Sequence, residues 1–249
     1  LAGRGDATVH GMNTTTALVT GANKGIGKEI ARQLVADGWT VHVGSRDVER
    51  GRTAVDELGG GAVPLQLDVT DSGSVADAAR VVTTLDVLIN NAGVSDTFAE
   101  APDMDVDDLR RVYETNVFGV AAVTNAFLPA LRRSPHPRIV NVSSGTGSLT
   151  WSVEINPQFT PDGGAAAAYR SSKTALNALT VFYARSLSGD GFKVNALAPG
   201  IRATELNARA AEAGGDPAEA ALAAVRLARL SDDGPTGAFF SWDGTAVPW

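Results

Sequence analysis

Cysteine is absent from the 249 residues. Disulfides, thiolate nucleophiles and cysteine-based metal sites are therefore excluded. Histidine is nearly as scarce. His10, His42 and His136 are scattered and stand in no ligand spacing such as H-E-x-x-H, so no metal site is expected. Lysine occurs only at positions 24, 28, 173 and 193. There is no basic run, and the net charge of -7 leaves no electrostatic footprint for nucleic acid or an anionic membrane. No apolar run approaches the ~20 residues of a spanning helix. Leu1 to Gly11 lacks both hydrophobic periodicity and the apolar core of a signal peptide. Met12 reads as the natural start. Residues 1–12 read as a tag or disordered tail, and residues 13–249 as one domain of a cytoplasmic protein.

What is present is alternation. With 44% hydrophobic residues the chain can bury a large core. Short apolar runs alternate with amphipathic stretches: strands at Ala17–Thr20, Thr40–Ser45, Val63–Leu67, Val87–Asn90, Arg138–Val142 and Lys193–Ala198, with a short seventh at Gly237–Ser241. Helices are expected between them. One runs from Gly25 to Asp37 with Ile26, Ile30, Leu34 and Val35 on one side, and another follows at Val48–Leu58. A third opens at Asp71 as N-cap, and a long one covers Val106–Leu131. Strands that are apolar throughout and separated by helices imply parallel pairing with both faces covered. The expected fold is a single doubly wound, Rossmann-type α/β domain with a mainly parallel sheet of about seven strands. Two stretches break the rhythm. They give candidate substrate loops at 145–168 and 201–231.

Directly after the first strand stands Thr20-Gly21-Ala22-Asn23-Lys24-Gly25-Ile26-Gly27. Glycines at a strand-to-helix junction permit a tight turn and let a pyrophosphate approach the helix N-terminus. The spacing is G-x-x-x-G-x-G rather than G-x-G-x-x-G. At the end of the second strand an NAD site would place an acidic residue for the adenosine ribose. The chain has Ser45-Arg46 there instead. Arg46 suits a 2′-phosphate, and Lys24 adds a second cation, so the expected cofactor is NADP(H). Asp47 either competes for Arg46 or caps the next helix.

Tyr169 and Lys173 stand four residues apart in a helical stretch, on one face and one turn apart. A neighbouring cation favours phenolate, so the spacing predicts a Tyr169 pKa lowered towards neutrality and a general acid or base.

Taken in order, the glycine turn, Asp68-Val69, Asn90-Asn91-Ala92-Gly93, Asn116, Ser143-Ser144, Tyr169 with Lys173, and Pro199-Gly200 resemble the short-chain dehydrogenase/reductase family over Thr16 to Gly200. The Asn23-Lys24 wording of the turn is similar to the carbonyl-reductase-like branch. The resemblance implies that Tyr169 is the catalytic acid/base and that Lys173 tunes it and holds the nicotinamide ribose. Ser144 would bond the substrate oxygen, and Asn116 would support a water-linked proton path. It places Asp68 and Val69 at the adenine, and Asn91, Ala92 and Gly93 along the cofactor. Pro199, Gly200, Ile201 and Thr204 would lie near the nicotinamide. Ser143 competes with Ser144 for the catalytic role, since neighbours in an extended segment face opposite ways; the family pattern selects Ser144. The interval from Ser144 to Tyr169 exceeds that of compact members, which leaves monomer and homo-oligomer both open.

The expected activity is reversible NADPH-dependent reduction of a ketone or aldehyde, an apolar small molecule; bulky or aromatic ketones would suit. Rivals are an NAD-linked alcohol or sugar dehydrogenase, an acyl carrier-protein reductase, and a nucleotide-sensing protein without turnover. Trp151, Phe159 and Leu206 read equally as walls of an apolar pocket or as core anchors.

Overall fold

The computed structural model describes residues 15–96, 98–153, 165–206, 211–212 and 214–249. Phe159 and the expected N-terminal tail lie outside the described residues. The chain runs β1 (Thr16–Val19), α1 (Gly25–Ala36), β2 (Thr40–Ser45), α2 (Val48–Leu58), β3 (Ala62–Gln66), α3 (Ser72–Val81), β4 (Val87–Asn90) and α4 (Val106–Tyr113). After a π-helical turn at Glu114–Phe118 it continues as α5 (Gly119–Leu131), β5 (Arg138–Val142), α6 (Leu149–Val153), α7 (Ala167–Ser186), β6 (Lys193–Ala198), α8 (Pro217–Ala228) and β7 (Phe239–Ser241).

The strands form one sheet in the order β3-β2-β1-β4-β5-β6-β7, and every named pair is parallel. This is a single Rossmann-type domain. The central strands are apolar throughout because both faces are covered. One face buries Val19, Val43 and Ile89 against Ile30, Leu34 and the alanine-rich side of α8. The other buries Leu18, Leu88 and Ile139 against Val75, Phe127, Leu131 and Ala184 of the opposite helices. Strand β3 departs from the expected two-sided burial: Val63 is exposed and Pro64 pairs with Val43. It is an edge strand, where proline costs no ladder hydrogen bond.

The chain reverses between β3 and β4, so β1 and β4 lie side by side with their carboxyl ends flanking a crevice. In doubly wound sheets that switch point is where ligands sit. The glycine turn follows β1 and the segment Asn91-Ala92-Gly93 follows β4, so both open into the crevice.

The expected helix over 106–131 is present but interrupted. At Glu114–Phe118 the hydrogen bonding widens to the π pattern, with the Gly119 N–H donating to the Glu114 carbonyl. Such turns are single inserted residues inside a helix and cluster at functional sites. Here the turn carries Asn116, which is fully buried.

Candidate active site

The glycine turn is shaped by backbone conformation. Gly21 and Gly25 have φ of 64° and 55°, in the left-handed region where a side chain is strained. Thr20 anchors the turn: its hydroxyl accepts the Asn91 N–H at 3.0 Å and the Ala92 N–H at 2.9 Å. Asn91 returns the contact, its amide donating to the Thr20 carbonyl at 2.9 Å and the Gly21 carbonyl at 3.3 Å. Asn91 and Ala92 thus lock the two carboxyl-end loops together.

The helices differ in how they begin. Asp47, Asp71, Asp105 and Asp216 each cap a helix by accepting a first-turn N–H. Helix α1 opens on Lys24, whose side chain caps nothing, and its first turn holds no acidic residue. The amides of Gly25, Ile26 and Gly27 therefore meet an incoming phosphate with no capping carboxylate from the helix itself, which fits a dinucleotide pyrophosphate.

Several of the residues expected at the nucleotide end are committed to contacts of their own. Asp47 caps α2, accepting from the Arg50 N–H at 3.0 Å, so it is occupied. Arg46 is exposed, and among the described residues it forms no ion pair. Ser45 is buried, and its hydroxyl donates to the Asp47 carbonyl at 2.8 Å. Asp68 accepts from the Thr70 N–H and hydroxyl, at 2.9 and 2.7 Å. Val69 packs into the second core. Asn23 lies half-buried in the turn. Pro199, Gly200 and Ile201 are half-buried just past β6, and the Thr204 methyl faces Gly25 from that same loop.

At the other end of the crevice the chemical groups converge. Ser143 and Ser144 do point apart. The buried Ser143 hydroxyl donates to Asn177 Oδ1 at 2.6 Å, behind the site. Ser144 shares a hydrogen bond with the Thr146 hydroxyl at 2.8 Å, and its hydroxyl lies near enough to the Tyr169 phenol to oppose the rise in that group's pKa. Lys173 is buried. Its Nζ donates to the Val142 carbonyl at 2.9 Å and lies 5.7 Å from the centre of the Tyr169 ring. The Asn116 amide clasps the Val94 backbone, accepting from its N–H and donating to its carbonyl, both at 2.9 Å, and donates to the Ser172 hydroxyl at 3.0 Å. Gly93 lies between Asn116 and Lys173: a Cβ there would come within 3.3 Å of Asn116 Oδ1 and 3.5 Å of Lys173 Nζ.

The electrostatics correct one expectation. Burial pushes the Tyr169 phenol up to about 12, with the Asp96 carboxylate adding to the rise and the Ser144 hydrogen bond opposing it. The spacing predicted a fall. The four-residue offset brings the Lys173 amine within 5.7 Å of the ring centre, but that amine donates to the Val142 carbonyl, and burial of the phenol dominates. Burial meanwhile lowers Lys173 to about 8.

Three participants carried no sequence signal. Asp96 follows the Asn-Ala-Gly segment and accepts the Tyr169 backbone N–H at 3.1 Å, serving as a remote cap for α7, whose own N-cap Ala166 has none to offer. Ser172 orients Asn116, and Thr146 orients Ser144. A hydroxyl two residues past Ser144 was visible in the sequence, but nothing local marked its direction. Trp151 turns out to pack on the core cluster of Ala196, Ala198, Phe239 and Val247, while Leu206 is exposed.

Gly147 holds this geometry by close approach. A Cβ there would lie 2.8 Å from the Lys173 carbonyl carbon and 2.9 Å from its Cβ, against backbone that cannot swing aside. Gly147→Ala is expected to destabilise the fold by about 1–3 kcal/mol, measured by denaturant unfolding, and to lower turnover because Lys173 is displaced.

Comparison with known proteins agrees with this architecture. Residues 15–214 match the family model described as short chain dehydrogenase. The chain belongs to that family. It is an enzyme of a family of oxidoreductases that use nicotinamide cofactors. Salutaridine reductase of Papaver bracteatum is 35% identical over 92% of this chain and 96% of that protein. (-)-Isopiperitenone reductase of Mentha piperita is 35% identical over 91% and 96%. Among solved structures, the NADPH-bound carbonyl reductase from chicken fatty liver superposes with a TM-score of 0.80 at 28% identity, covering 95% of this chain and 99% of that one. No helix among the described residues of this short-chain dehydrogenase is long and apolar enough to cross a membrane.

Proposed function

We propose that the protein reduces a ketone or aldehyde to its alcohol, using NADPH. The observation that carries this reading is the convergence of the Ser144 hydroxyl and the Tyr169 phenol at the crevice, with the buried Lys173 amine 5.7 Å from the Tyr169 ring. Two hydroxyls meeting at one point can hold a carbonyl oxygen and stabilise the charge that develops on it. A phenol at about 12 is fully protonated at neutral pH, so it enters the reaction as a donor.

NADPH, when bound, supplies the hydride that the side chains cannot. The α1 amides and glycine turn would hold its pyrophosphate, Arg46 its 2′-phosphate, and the Lys173 ammonium its ribose hydroxyls. Tyr169 transfers its proton to the substrate oxygen while Ser144 fixes that oxygen in place. Asn116 and Ser172 continue the polar groups away from Lys173, along which the Tyr169 proton would be restored. The loops at 145–168 and 201–231 would supply the substrate walls. The names of the two plant relatives and the NADPH-bound carbonyl reductase support reduction and the phosphorylated cofactor.

The test is kinetic. With a panel of aldehydes and ketones, consumption of NADPH should exceed that of NADH. Arg46→Asp should lower kcat/KM for NADPH by about 10- to 100-fold, the loss of a charge-assisted phosphate contact plus a new repulsion, and leave NADH little changed. Equal use of both nucleotides would favour the NAD-linked dehydrogenase. NADPH binding without consumption of any substrate would favour a nucleotide sensor.

A further inference from the structure

The loop after β6 returns across the crevice to the glycine turn. Glu205 Oε2 lies 2.6 Å from Lys24 Nζ, joining segments 181 residues apart. Beside it, the Thr204 methyl sits over Gly25, where an added Cβ would come within 3.3 Å. Gly25, Ala203, Thr204, Glu205 and Ala211 line one open cavity of about 280 Å³. The Lys24 hydrogen bond and charge hold the Glu205 carboxyl below its usual range, and Arg50 adds to this, so Glu205 is anionic at neutral pH. The second cation expected at the nucleotide end is therefore already engaged by a carboxylate from the opposite side of the crevice.

We infer that Glu205 is a cofactor-selectivity residue: its carboxylate holds the Lys24 ammonium that a 2′-phosphate would use. NADPH must displace that carboxylate, whereas NADH binds with the pair intact. This rests on the NADP reading above. Both partners are largely exposed, at 49% and 75%. Their attraction is consequently modest and screened by salt. A phosphate dianion outcompetes a single carboxylate for one ammonium. The displaced Glu205 stays close by and repels the phosphate, so the pair lowers NADPH affinity without abolishing it.

Fluorescence titration of NADPH and NADH into the wild type, Glu205→Gln, Lys24→Met and the double variant tests this without turnover. Glu205→Gln should bind NADPH about five-fold tighter, with the gain fading near 1 M salt, and leave NADH affinity unchanged. In the Lys24→Met background Glu205→Gln should gain nothing. Equal tightening of both nucleotides would overturn the inference, because Glu205 would then act on the shared part of the cofactor. So would an unchanged NADPH affinity in a folded Glu205→Gln. A wild type that prefers NADH sinks the NADP reading, and if Glu205→Gln then also fails to tighten NADPH the inference falls with it. One that prefers NADPH while Glu205→Gln behaves like wild type sinks the inference alone.

Discussion

Replacing Tyr169 by Phe should lower kcat for ketone reduction by about 10³-fold, within the range of a lost general acid, while NADPH binds within about two-fold of wild type. The neighbours explain why no group takes over. The Asn116 amide is spent on Val94 and Ser172. The Lys173 amine points at the Val142 carbonyl. Ser144 bonds Thr146, and a serine hydroxyl is too weak an acid to replace a phenol. The phenylalanine ring keeps the packing against Lys173, so the fold survives and the loss is chemical. Stopped-flow measurement of a single turnover with saturating ketone isolates that step. A variant that retains most of its single-turnover rate would mean that the proton comes from elsewhere, and the Ser144–Tyr169 pair would lose its assigned role.

Features set by short-range spacing were legible in the sequence. The glycine turn lies at the β1–α1 junction because its conformation is local: Gly21 and Gly25 need left-handed backbone wherever the chain goes next. Asp71 caps α3 as expected, and the separation of Ser143 from Ser144 follows from strand geometry. Long-range contacts were not legible. Asp96 reaches Tyr169 across 73 residues and Glu205 reaches Lys24 across 181, and neither position carries a pattern. The π turn at Asn116 was hidden for another reason. An inserted residue inside a helix leaves the apolar periodicity almost intact, so 106–131 still reads as one helix. The direction of the Tyr169 shift failed because spacing reports that a cation is near, while the balance depends on how deeply the hydroxyl is buried. The aromatic Trp151 of the candidate loop was ambiguous in sequence, since it serves the core and a tryptophan in sequence reads the same in either setting.

Lys173→Met should show that the site is held at a cost to stability. Lys173 is 4% exposed, and burial lowers its pKa from 10.5 to about 8. A depressed lysine pKa means that the unfolded chain holds the proton more tightly than the folded one between those two values. Stability of the wild type therefore rises with pH through that window, as the folded amine sheds its proton first. Relative to Lys173→Met, which lacks the group, the wild type should gain about 2 kcal/mol between pH 7.5 and 9.5. Tyr169 does not confuse the comparison: its pKa is raised, so its own contribution is lost only above about 10, and it is present in both proteins. Urea unfolding at several pH values measures the difference. A flat difference would mean that Lys173 is less desolvated than its surroundings imply. The same variant should lose about 10²-fold in kcat/KM, since methionine fills the volume but offers the cofactor ribose no donor. Greater stability of the variant at neutral pH together with that loss would identify the buried ammonium as a charge retained for the reaction and not for the fold.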